Sequence, residues 1–280
     1  MRRDLVRLLQ KSLEGVLSER EARAVETGID IIGDIAIVKL GESVKEQGGR
    51  VGAAILASMK NVKAVFDQEG GLEGDFRLRK LRHIAGEQRT LTVHRENQLR
   101  FAVDVEKCYF SPRLSTERLR IVEMSRPQEL VLNMFAGVGP YSNTLSKKRG
   151  ATVYSNELNG VAFQLHLRNN KMNKVEGLTT TLNEDARRLP ELLDIKFDRV
   201  LMPHPSQSHR FLETAAKMTR GNGWVHYYRH VSGYDYGEAE RELSQEVSGI
   251  LGTGGRFSVR KVREIGPRYL ELAADIQVAA

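Results

Sequence analysis

Two glycines and two carboxylates between residues 137 and 185 have the spacing of a nucleotide-binding site. Gly137 and Gly139 separate an apolar run from a helical pattern, and glycine lets the backbone turn sharply there and approach a ligand. Glu157 comes about 20 residues later, where a carboxylate can accept hydrogen bonds from ribose hydroxyls. Asp185 follows a third apolar run. Because parallel strands end at one edge of a sheet, we predict that these four residues line one crevice.

The identity of the ligand follows from the residues within the turn. Either carboxylate taken singly has a second explanation as a solvated helix cap. An NAD-binding turn usually has Gly or Ala where Ser142 stands, and this turn lacks the Arg or Lys that a pyrophosphate would favour. The segment Phe-Ala-Gly-x-Gly-x-x-Ser at 135–142 resembles the S-adenosylmethionine turn of RNA methyltransferases. We therefore expect S-adenosylmethionine as the cofactor, with NAD as the second candidate.

The elements around this crevice alternate regularly from residue 129 onward. Apolar strands separated by amphipathic helical patterns indicate a parallel sheet covered on both faces. The last two strands are joined only by Gly266, Pro267 and Arg268, which is too short for a crossover and predicts an antiparallel hairpin. The fold class is therefore α/β, and it resembles the Rossmann-like seven-stranded sheet of class I methyltransferases. The seven predicted strands cover residues 129–135, 151–156, 178–182, 197–202, 224–230, 256–265 and 269–278.

The first part of the chain mixes its elements in an α+β pattern. Gly33 interrupts a strand-like run at 29–38 and predicts a bend there. A helix is predicted for 43–59, followed by strands at 62–66, 76–82, 90–96 and 99–105, the last two joined as a hairpin across Asn97 and Gln98. An earlier helical pattern has the apolar residues Leu5, Leu8, Leu9, Leu13 and Val16.

Composition limits the classes of protein and partner. The chain of 280 residues has a formal net charge of +7 and a pI near 9.5. A basic surface favours polyanions because phosphate binding releases counterions, although the charge alone fits a basic protein without such a partner equally well. The single cysteine, Cys108, excludes an internal disulfide, and we expect it to pack in a core. No stretch is apolar enough for a membrane span or a secretion signal, so we expect a cytoplasmic protein. We also expect a monomer without a metal site.

Several segments together resemble the archaeal and eukaryotic tRNA (guanine-37-N1)-methyltransferase family. The likeness runs from residue 29 to the C-terminus, and its most specific part is Tyr-Phe-Ser-Pro-Arg-Leu-Ser-Thr-Glu-Arg at 109–118. Family members commonly carry another small domain that touches the outer corner of tRNA, and the chain is expected to begin after it. The other segments are Ile-Ala-Gly-Glu at 84–87, Val-His-Arg-Glu-Asn at 93–97, the glycine turn at 133–142 and Asp-Arg-Val-Leu-Met at 198–202.

This resemblance implies that the chain binds tRNA and methylates N1 of the guanosine beside the anticodon. N1 carries a proton at neutral pH, so a base must remove it. On the resemblance, Glu117 is that base, although a helix-face ion pair is the alternative. The resemblance also implies that Arg113, Tyr109 and Arg77 lie near the target guanine.

The basic residues and the change of pattern along the chain together predict two domains. An RNA-contacting α+β domain is expected at 1–108, and an S-adenosylmethionine-binding methyltransferase domain at 109–280. Arg77 and Arg79 alternate along the predicted strand 76–82, so they are expected to share a face that contacts phosphates. The alternative is a solvated basic strand edge that prevents aggregation.

The stretch after the fourth strand departs from the family pattern. The family places Asn-Leu-Pro there, whereas this chain has Pro203, His204 and Pro205. Pro203 has no side-chain amide to hold the target base, and we expect His204 to take that role, with a structural histidine as the alternative. The resemblance implies that Phe135 and Pro205 complete the cofactor site. Asn133 also replaces an acidic residue that is frequent at the end of the first strand.

Three functions stay open at this point. The first is an active tRNA methyltransferase. The second is transfer of the aminocarboxypropyl group of the same cofactor, as in related wybutosine-pathway enzymes, and the third is tRNA binding without catalysis. The intact Arg-Leu-x-x-Glu-Arg pattern at 113–118 favours the first, because the wybutosine relatives typically lack it. An NAD-dependent enzyme is a distant fourth.

Overall fold

The computed structural model describes residues 10–11, 13–18, 25, 28–233, 235–252, 255–266 and 268–280. The chain divides into two compact units, Met1–Ser115 and Thr116–Ala280. The domain boundary expected after Cys108 stays a prediction. Cys108 itself is buried, as expected.

The first unit contains a four-stranded sheet and a separate hairpin. Strands β1 to β4 are neighbours in the order β1-β2-β3-β4, and β5 pairs with β6. A 3₁₀ helix, Glu42–Gln47, leads into helix α1, Gly48–Ser58, where a single helix was predicted. The strands are β1 Asp30–Ile32, β2 Ile35–Val38, β3 Ala64–Glu73, β4 Leu78–Gly86, β5 Leu91–Glu96 and β6 Leu99–Asp104.

Gly33 turns the predicted strand at 29–38 into a hairpin. Its φ of 59° places it in the left-handed region, and a Cβ there would lie 2.2 Å from Thr92 Oγ1. Only glycine fits both conditions, so the chain reverses and β1 pairs antiparallel with β2. The predicted hairpin across Asn97 and Gln98 is confirmed, with φ of 51° and 68°, as a tight turn between twisted strands requires.

The core of the first unit lies between α1 and the four-stranded sheet. Val51 and Ile55 of α1 are fully buried against Ala36 and Val65 of the sheet. Of the predicted N-terminal helix, Leu5, Leu8 and Leu9 lie outside the described residues, whereas Leu13 is buried in this core.

The second unit is built on a seven-stranded sheet in the order β12-β13-β11-β10-β7-β8-β9. The five strands from β7 to β11 are parallel, and β13 is antiparallel to both β11 and β12. The predicted parallel sheet with a terminal hairpin is therefore confirmed. The strands are β7 Leu130–Asn133, β8 Thr152–Asn156, β9 Thr179–Leu182, β10 Phe197–Met202, β11 Thr219–Ser232, β12 Gly255–Gly266 and β13 Tyr269–Val278.

Helices cover both faces of this sheet. Adjacent residues of a strand point to opposite faces, so Tyr227 packs in one core and Tyr228 in the other. The helices are α2 Ser115–Met124, α3 Pro140–Arg149, α4 Gly160–Asn173, α5 Leu189–Leu192, α6 Leu212–Met218 and α7 Tyr236–Leu251. The core with Tyr227 contains apolar residues of α6 and α7, and the core with Tyr228 contains those of α2 and α3. The unit is thus a doubly wound α/β domain.

Candidate cofactor and active site

The glycine turn lies between the carboxyl end of β7 and the start of α3, as predicted. Gly137 and Gly139 have φ of 56° and 88°, in the left-handed region that favours glycine. A Cβ on Gly139 would lie 2.3 Å from a ring carbon of His166 on α4, so no side chain fits there. Gly139 therefore packs closely against α4, and the turn leads directly into the amino end of α3, where free N–H groups can face a ligand.

Buried hydrogen bonds hold the start of α3 to the neighbouring strands. Asn133 Nδ2 donates to Ser142 Oγ at 3.1 Å, and Ser155 Oγ donates to Ser142 Oγ at 2.8 Å. All three side chains are fully buried. Ser142 thus connects α3 to β7 and β8, and Asn133 at the end of β7 belongs to this support.

Glu157 follows β8 and is bound to the glycine turn itself. The Gly137 N–H donates to Glu157 Oε2 at 2.6 Å, and the Asn159 N–H donates to Oε1 at 2.8 Å. Burial raises the pKa of Glu157 more than these two N–H groups lower it. A carboxylate has about four acceptor positions, so about two are left for ribose hydroxyls.

Asn156 connects three strand ends and was not predicted from the sequence. Its Nδ2 donates to Met134 O at 3.3 Å and to Glu184 O at 2.9 Å, while the Glu184 N–H donates to its Oδ1 at 3.1 Å. The residues after β7, β8 and β9 are therefore held together at one edge. This brings the regions of Gly137, Glu157 and Asp185 to the same edge of the sheet, and the crevice that they line stays a prediction.

Asp185 follows β9 and also begins a short 3₁₀ helix, Ala186–Arg188. It accepts from the Arg187 N–H at 2.9 Å and forms an ion pair with the Arg187 guanidinium. These contacts lower the pKa of Asp185 to about 2. The Arg187 side chain is 79% exposed, and solvated ion pairs of this kind are weak, so a ligand donor can compete for the carboxylate.

Aromatic rings lie beside the crevice, where β7 and β10 end. The Phe135 ring has edge contacts with His204, at 5.4 Å between centroids, and with Phe211, at 5.2 Å. His204 Nδ1 lies 3.4 Å from Ser206 Oγ. Pro205 is buried, and its carbonyl accepts from the His230 N–H at 3.1 Å. Phe135 and His204 are both partly exposed and adjacent, which suits them to contact a bound base or cofactor.

Glu117 lies on α2 and is only 5% exposed, within a cluster of donors. Tyr228 Oη donates to Oε1 at 2.8 Å, and Arg120 donates to both oxygens, from Nη2 at 2.7 Å to Oε1 and from Nε at 3.0 Å to Oε2. Arg260 Nη1 donates to Oε2. Burial and the nearby charge of Glu117 raise the pKa of Tyr228, so its hydroxyl stays protonated and keeps donating.

A chain of ionic contacts continues from this cluster through the sheet. Arg120 Nη1 donates to Asp275 Oδ2 at 2.6 Å, and Asp275 Oδ1 lies 2.5 Å from His226 Nδ1. Arg199 contacts His226 Nε2 and donates from Nε to Glu129 Oε2 at 2.7 Å. Burial lowers the pKa of His226. We therefore infer that His226 is neutral, donates from Nδ1 to Asp275 and accepts at Nε2 from Arg199.

The remaining predicted catalytic residues belong to the first unit. Arg113 lies in the 3₁₀ helix Pro112–Leu114, and its Nε donates to Asp30 Oδ1 at 2.7 Å. The Arg77 guanidinium lies over the Tyr109 ring, 4.5 Å from its centroid, in a cation–π contact. Among the described residues, Arg77 Nη1 is buried without a hydrogen-bond partner.

The expectation that Arg77 and Arg79 share an exposed strand face is wrong. Arg77 has a φ of 55° and lies in the turn before β4. Arg79 is 6% exposed and donates from both terminal nitrogens to the Phe110 carbonyl at 3.2 Å. It also forms an ion pair with Asp30 at 3.4 Å, and burial lowers the pKa of Arg79. A long buried guanidinium can bind internal acceptors, and the alternating pattern did not reveal that.

The partners of Glu117 in the second unit were not identified from the sequence. Arg120 had a usable signal, because it stands three residues after Glu117 on a predicted helix. No sequence signal pointed to Tyr228 and Arg260, or to Asp275, which binds Arg120. These three residues lie on the last three strands of the chain. Only their position in the sheet brings them to α2.

Comparison with known proteins identifies relatives over most of the chain. A family model described as the TRM5/TYW2 methyltransferase domain matches residues 92–246, and one described as the TYW2 N-terminal domain matches residues 9–90. The tRNA (guanine(37)-N(1))-methyltransferase Trm5b of Pyrococcus abyssi is 40% identical over 92% of this chain and 76% of its own length. Its crystal structure matches with a TM-score of 0.84, at 37% identity, over 94% of this chain and 79% of that one.

Two further relatives extend this comparison. A complex of aTrm5 with tRNALeu has a TM-score of 0.80 at 32% identity, over 96% of this chain and 75% of that one. The tRNA(Phe) (4-demethylwyosine(37)-C(7)) aminocarboxypropyltransferase of Pyrococcus horikoshii is 31% identical over 71% of this chain and 70% of its own length.

Within the described ranges of this chain, no helix is long and apolar enough to span a membrane. The same ranges contain no cluster of three or more His, Cys, Asp or Glu that could hold a metal ion.

Proposed function

Because the chain belongs to the TRM5/TYW2 methyltransferase family, we propose that it transfers a methyl group from S-adenosylmethionine to N1 of guanosine 37 in tRNA. The observation that carries the proposal is the buried carboxylate of Glu117 within the Arg-Leu-x-x-Glu-Arg segment, in the same unit as the glycine-turn crevice. A base and a cofactor crevice are the two components that methylation of a protonated ring nitrogen requires.

The crevice residues fit S-adenosylmethionine. The turn with Gly137 and Gly139 leads into the amino end of α3, whose free N–H groups would face the cofactor, and Glu157 keeps about two acceptor positions for the ribose. Phe135, Asp185 and Pro205 would complete the site. When bound, the cofactor supplies a methyl carbon whose bond to sulfur breaks as N1 attacks, and the electron pair stays on sulfur.

The protein's own groups handle the proton and the orientation of the base. Glu117 accepts the N1 proton on a carboxylate oxygen, while Arg120 and Tyr228 hold that carboxylate in place. Arg113, Tyr109 and Arg77 contact the target nucleotide in this proposal. His204 takes the place of the family's asparagine in holding the base.

Nucleoside mass spectrometry of treated tRNA tests the proposal. Wild type should place one methyl group on N1 of guanosine 37, and a tRNA with adenosine at that position should not be methylated. Methylation of another atom, or equal rates in wild type and Glu117→Gln, would remove the assigned reaction.

Aminocarboxypropyl transfer is the second candidate, because residues 9–90 match the TYW2 N-terminal domain. The same experiment separates the two reactions, since the aminocarboxypropyl group is heavier than methyl. A 4-demethylwyosine-containing tRNA is the substrate to compare with guanosine-containing tRNA. Addition of the heavier group to the former alone would favour the second candidate.

The proposal includes a monomer that acts in the cytoplasm without a metal ion. Light scattering during size-exclusion chromatography measures the oligomeric state. Activity after dialysis against a chelator tests for a metal requirement. Fluorescence imaging of the tagged chain in its host tests the location.

A further inference from the structure

The carboxylate of Glu117 has no acceptor position left for a substrate within its own cluster. Arg120, Tyr228 and Arg260 together donate to both oxygens, and a carboxylate offers only about four acceptor positions. The N1–H of a guanine must nevertheless reach one of these oxygens before proton transfer. One of the three donors therefore has to leave when the substrate binds.

Two of the donors, Arg120 and Tyr228, are also held by other residues. Asp275 holds the Arg120 guanidinium through two hydrogen bonds, at 2.6 Å to Nη1 and 3.0 Å to Nη2. The Arg120 side chain is 18% exposed. Tyr228 is 1% exposed, and its hydroxyl also contacts Tyr141. Moving either group would break buried contacts that are costly to lose.

Arg260 differs from both in its position and exposure. It lies on β12, which is one of the two edge strands of the sheet, and its side chain is 40% exposed. Among the described residues, Glu117 is the one carboxylate with which Arg260 forms a salt bridge. A guanidinium binds phosphate with the same bidentate geometry that it uses for a carboxylate, so RNA offers it an equivalent partner.

We propose that Arg260 is an exchangeable partner of Glu117, which it holds in the free enzyme and leaves for an RNA phosphate when tRNA binds. The inference rests on the proposed function, since it assumes that Glu117 is the base. In the free enzyme the charges of Glu117, Arg120, Asp275 and Arg260 cancel. Departure of Arg260 removes a cation from beside Glu117 and frees an acceptor position on the carboxylate at the moment when it must accept the N1 proton.

The two pH profiles of the wild-type enzyme give the first test. The acidic limb of kcat/KM for tRNA reports the free enzyme, and that of kcat reports the enzyme–tRNA complex. We expect the kcat limb to lie at higher pH, because the carboxylate has lost one cation in the complex. If the acidic limbs of kcat/KM and kcat lie at the same pH in the wild-type enzyme, the proposed exchange of Arg260 is wrong. This comparison needs no variant.

Arg260→Gln gives the second test. Removing a cation in direct contact should raise the kcat/KM limb by about 1 pH unit or more, and leave the kcat limb in place. Arg120→Gln is the comparison with a fixed donor, and it should shift both limbs and lower kcat. Arg256→Gln, which removes the same charge from an exposed position of β12, should shift neither limb.

Binding of tRNA supplies a readout that does not depend on catalysis. With S-adenosylhomocysteine present, Arg260→Gln should reduce the slope of log affinity against log salt by about 1, because one phosphate contact is lost. Arg260→Lys keeps the charge and should restore the slope. An unchanged slope in Arg260→Gln would overturn the transfer to phosphate, even if that variant were poorly active.

The outcomes separate this inference from the proposed function. If wild type methylates N1 and Glu117→Gln does not, while Arg260→Gln shifts both limbs or neither, the exchange is wrong and the function stands. If wild type leaves N1 unmodified, or Glu117→Gln is as active as wild type, the proposed function fails. The melting temperature of each variant shows whether it has lost its fold. If a variant is unfolded, the comparison of the kcat/KM and kcat profiles of the wild-type enzyme still tests the exchange.

Discussion

The cofactor crevice and the Glu117 cluster are both sites of carboxylates in the second unit, but they are built in opposite ways. Glu157 is held by two backbone N–H groups and keeps acceptor positions for a ligand. Glu117 is held by three side chains from α2, β11 and β12, which occupy both oxygens. On our proposals, the first site can bind its ligand without rearrangement, whereas the second must exchange a partner first.

This contrast explains why the two sites differ in how far they can be predicted from a single sequence. The turn with Gly137 and Gly139, and the acidic residues after β8 and β9, follow from local strand, turn and helix patterns. The seven strands of the sheet were predicted for the same reason, with ends that differ by a few residues. Two partners of Glu117, Tyr228 and Arg260, come from strands more than 100 residues away along the chain, and local pattern carries no signal for such pairs.

Arginine placement shows the same limit in the first unit. The alternation of Arg77 and Arg79 predicted two exposed cations, yet Arg79 is a buried structural residue that binds the Phe110 carbonyl. Alternation specifies the faces of a strand but not which face is covered. Gly33 was predicted to bend a strand and instead reverses the chain, because its neighbour Thr92 leaves no room for a side chain.

Removal of the base should have the largest effect of any single change. Glu117→Gln keeps the size of the side chain but removes its basic oxygen, and general base catalysis contributes about 10²- to 10⁴-fold. We expect kcat to fall by that factor, measured by single-turnover methyl transfer to tRNA. Glu123→Gln, on an exposed position of the same helix, is the control and should match wild type. A fall of less than tenfold in Glu117→Gln would place the base elsewhere.

His204 tests whether the crevice also orients the target base. Phenylalanine at this position keeps the ring contact with Phe135 but removes the ring nitrogens, and loss of one well-placed hydrogen bond costs about 10²- to 10³-fold in rate. We expect this loss in His204→Phe without a change in melting temperature. Pro203→Asn, which restores the family's amide, should recover activity in the double variant. Full activity of His204→Phe would leave His204 with a packing role only.

The two carboxylates of the crevice should differ in their contribution to cofactor binding. Loss of a hydrogen-bonded carboxylate typically costs about 1.5 to 3 kcal/mol, and we expect this range for Glu157→Ala in calorimetric titration with S-adenosylhomocysteine. Asp185→Ala should cost less, because Arg187 already occupies that carboxylate. The reverse order would show that the Arg187 contact is lost when the cofactor binds.

The smallest effect that we expect is on stability at acid pH. It concerns Asp275, which binds Arg120 in the Glu117 cluster and has no counterpart in the cofactor crevice. Burial raises the pKa of Asp275, but His226 and Arg120 lower it by more, so the folded value lies below the unfolded one of about 3.9. This stabilisation is present above the unfolded pKa and is lost as pH falls through the folded value. The difference in melting temperature between wild type and Asp275→Asn should therefore narrow below about pH 4. A constant difference down to pH 2 would mean that the pair is not coupled to protonation.

The position of β13 in the sheet has a consequence for how the protein folds during synthesis. β13 lies between β11 and β12, although it follows both in the chain. The glycine turn, Glu157 and Asp185 can therefore form while the last strands are still being translated. Arg120 must wait for Asp275, 155 residues later, and contacts of such long range form slowly. A nascent chain should thus acquire cofactor binding before it acquires an ordered Glu117.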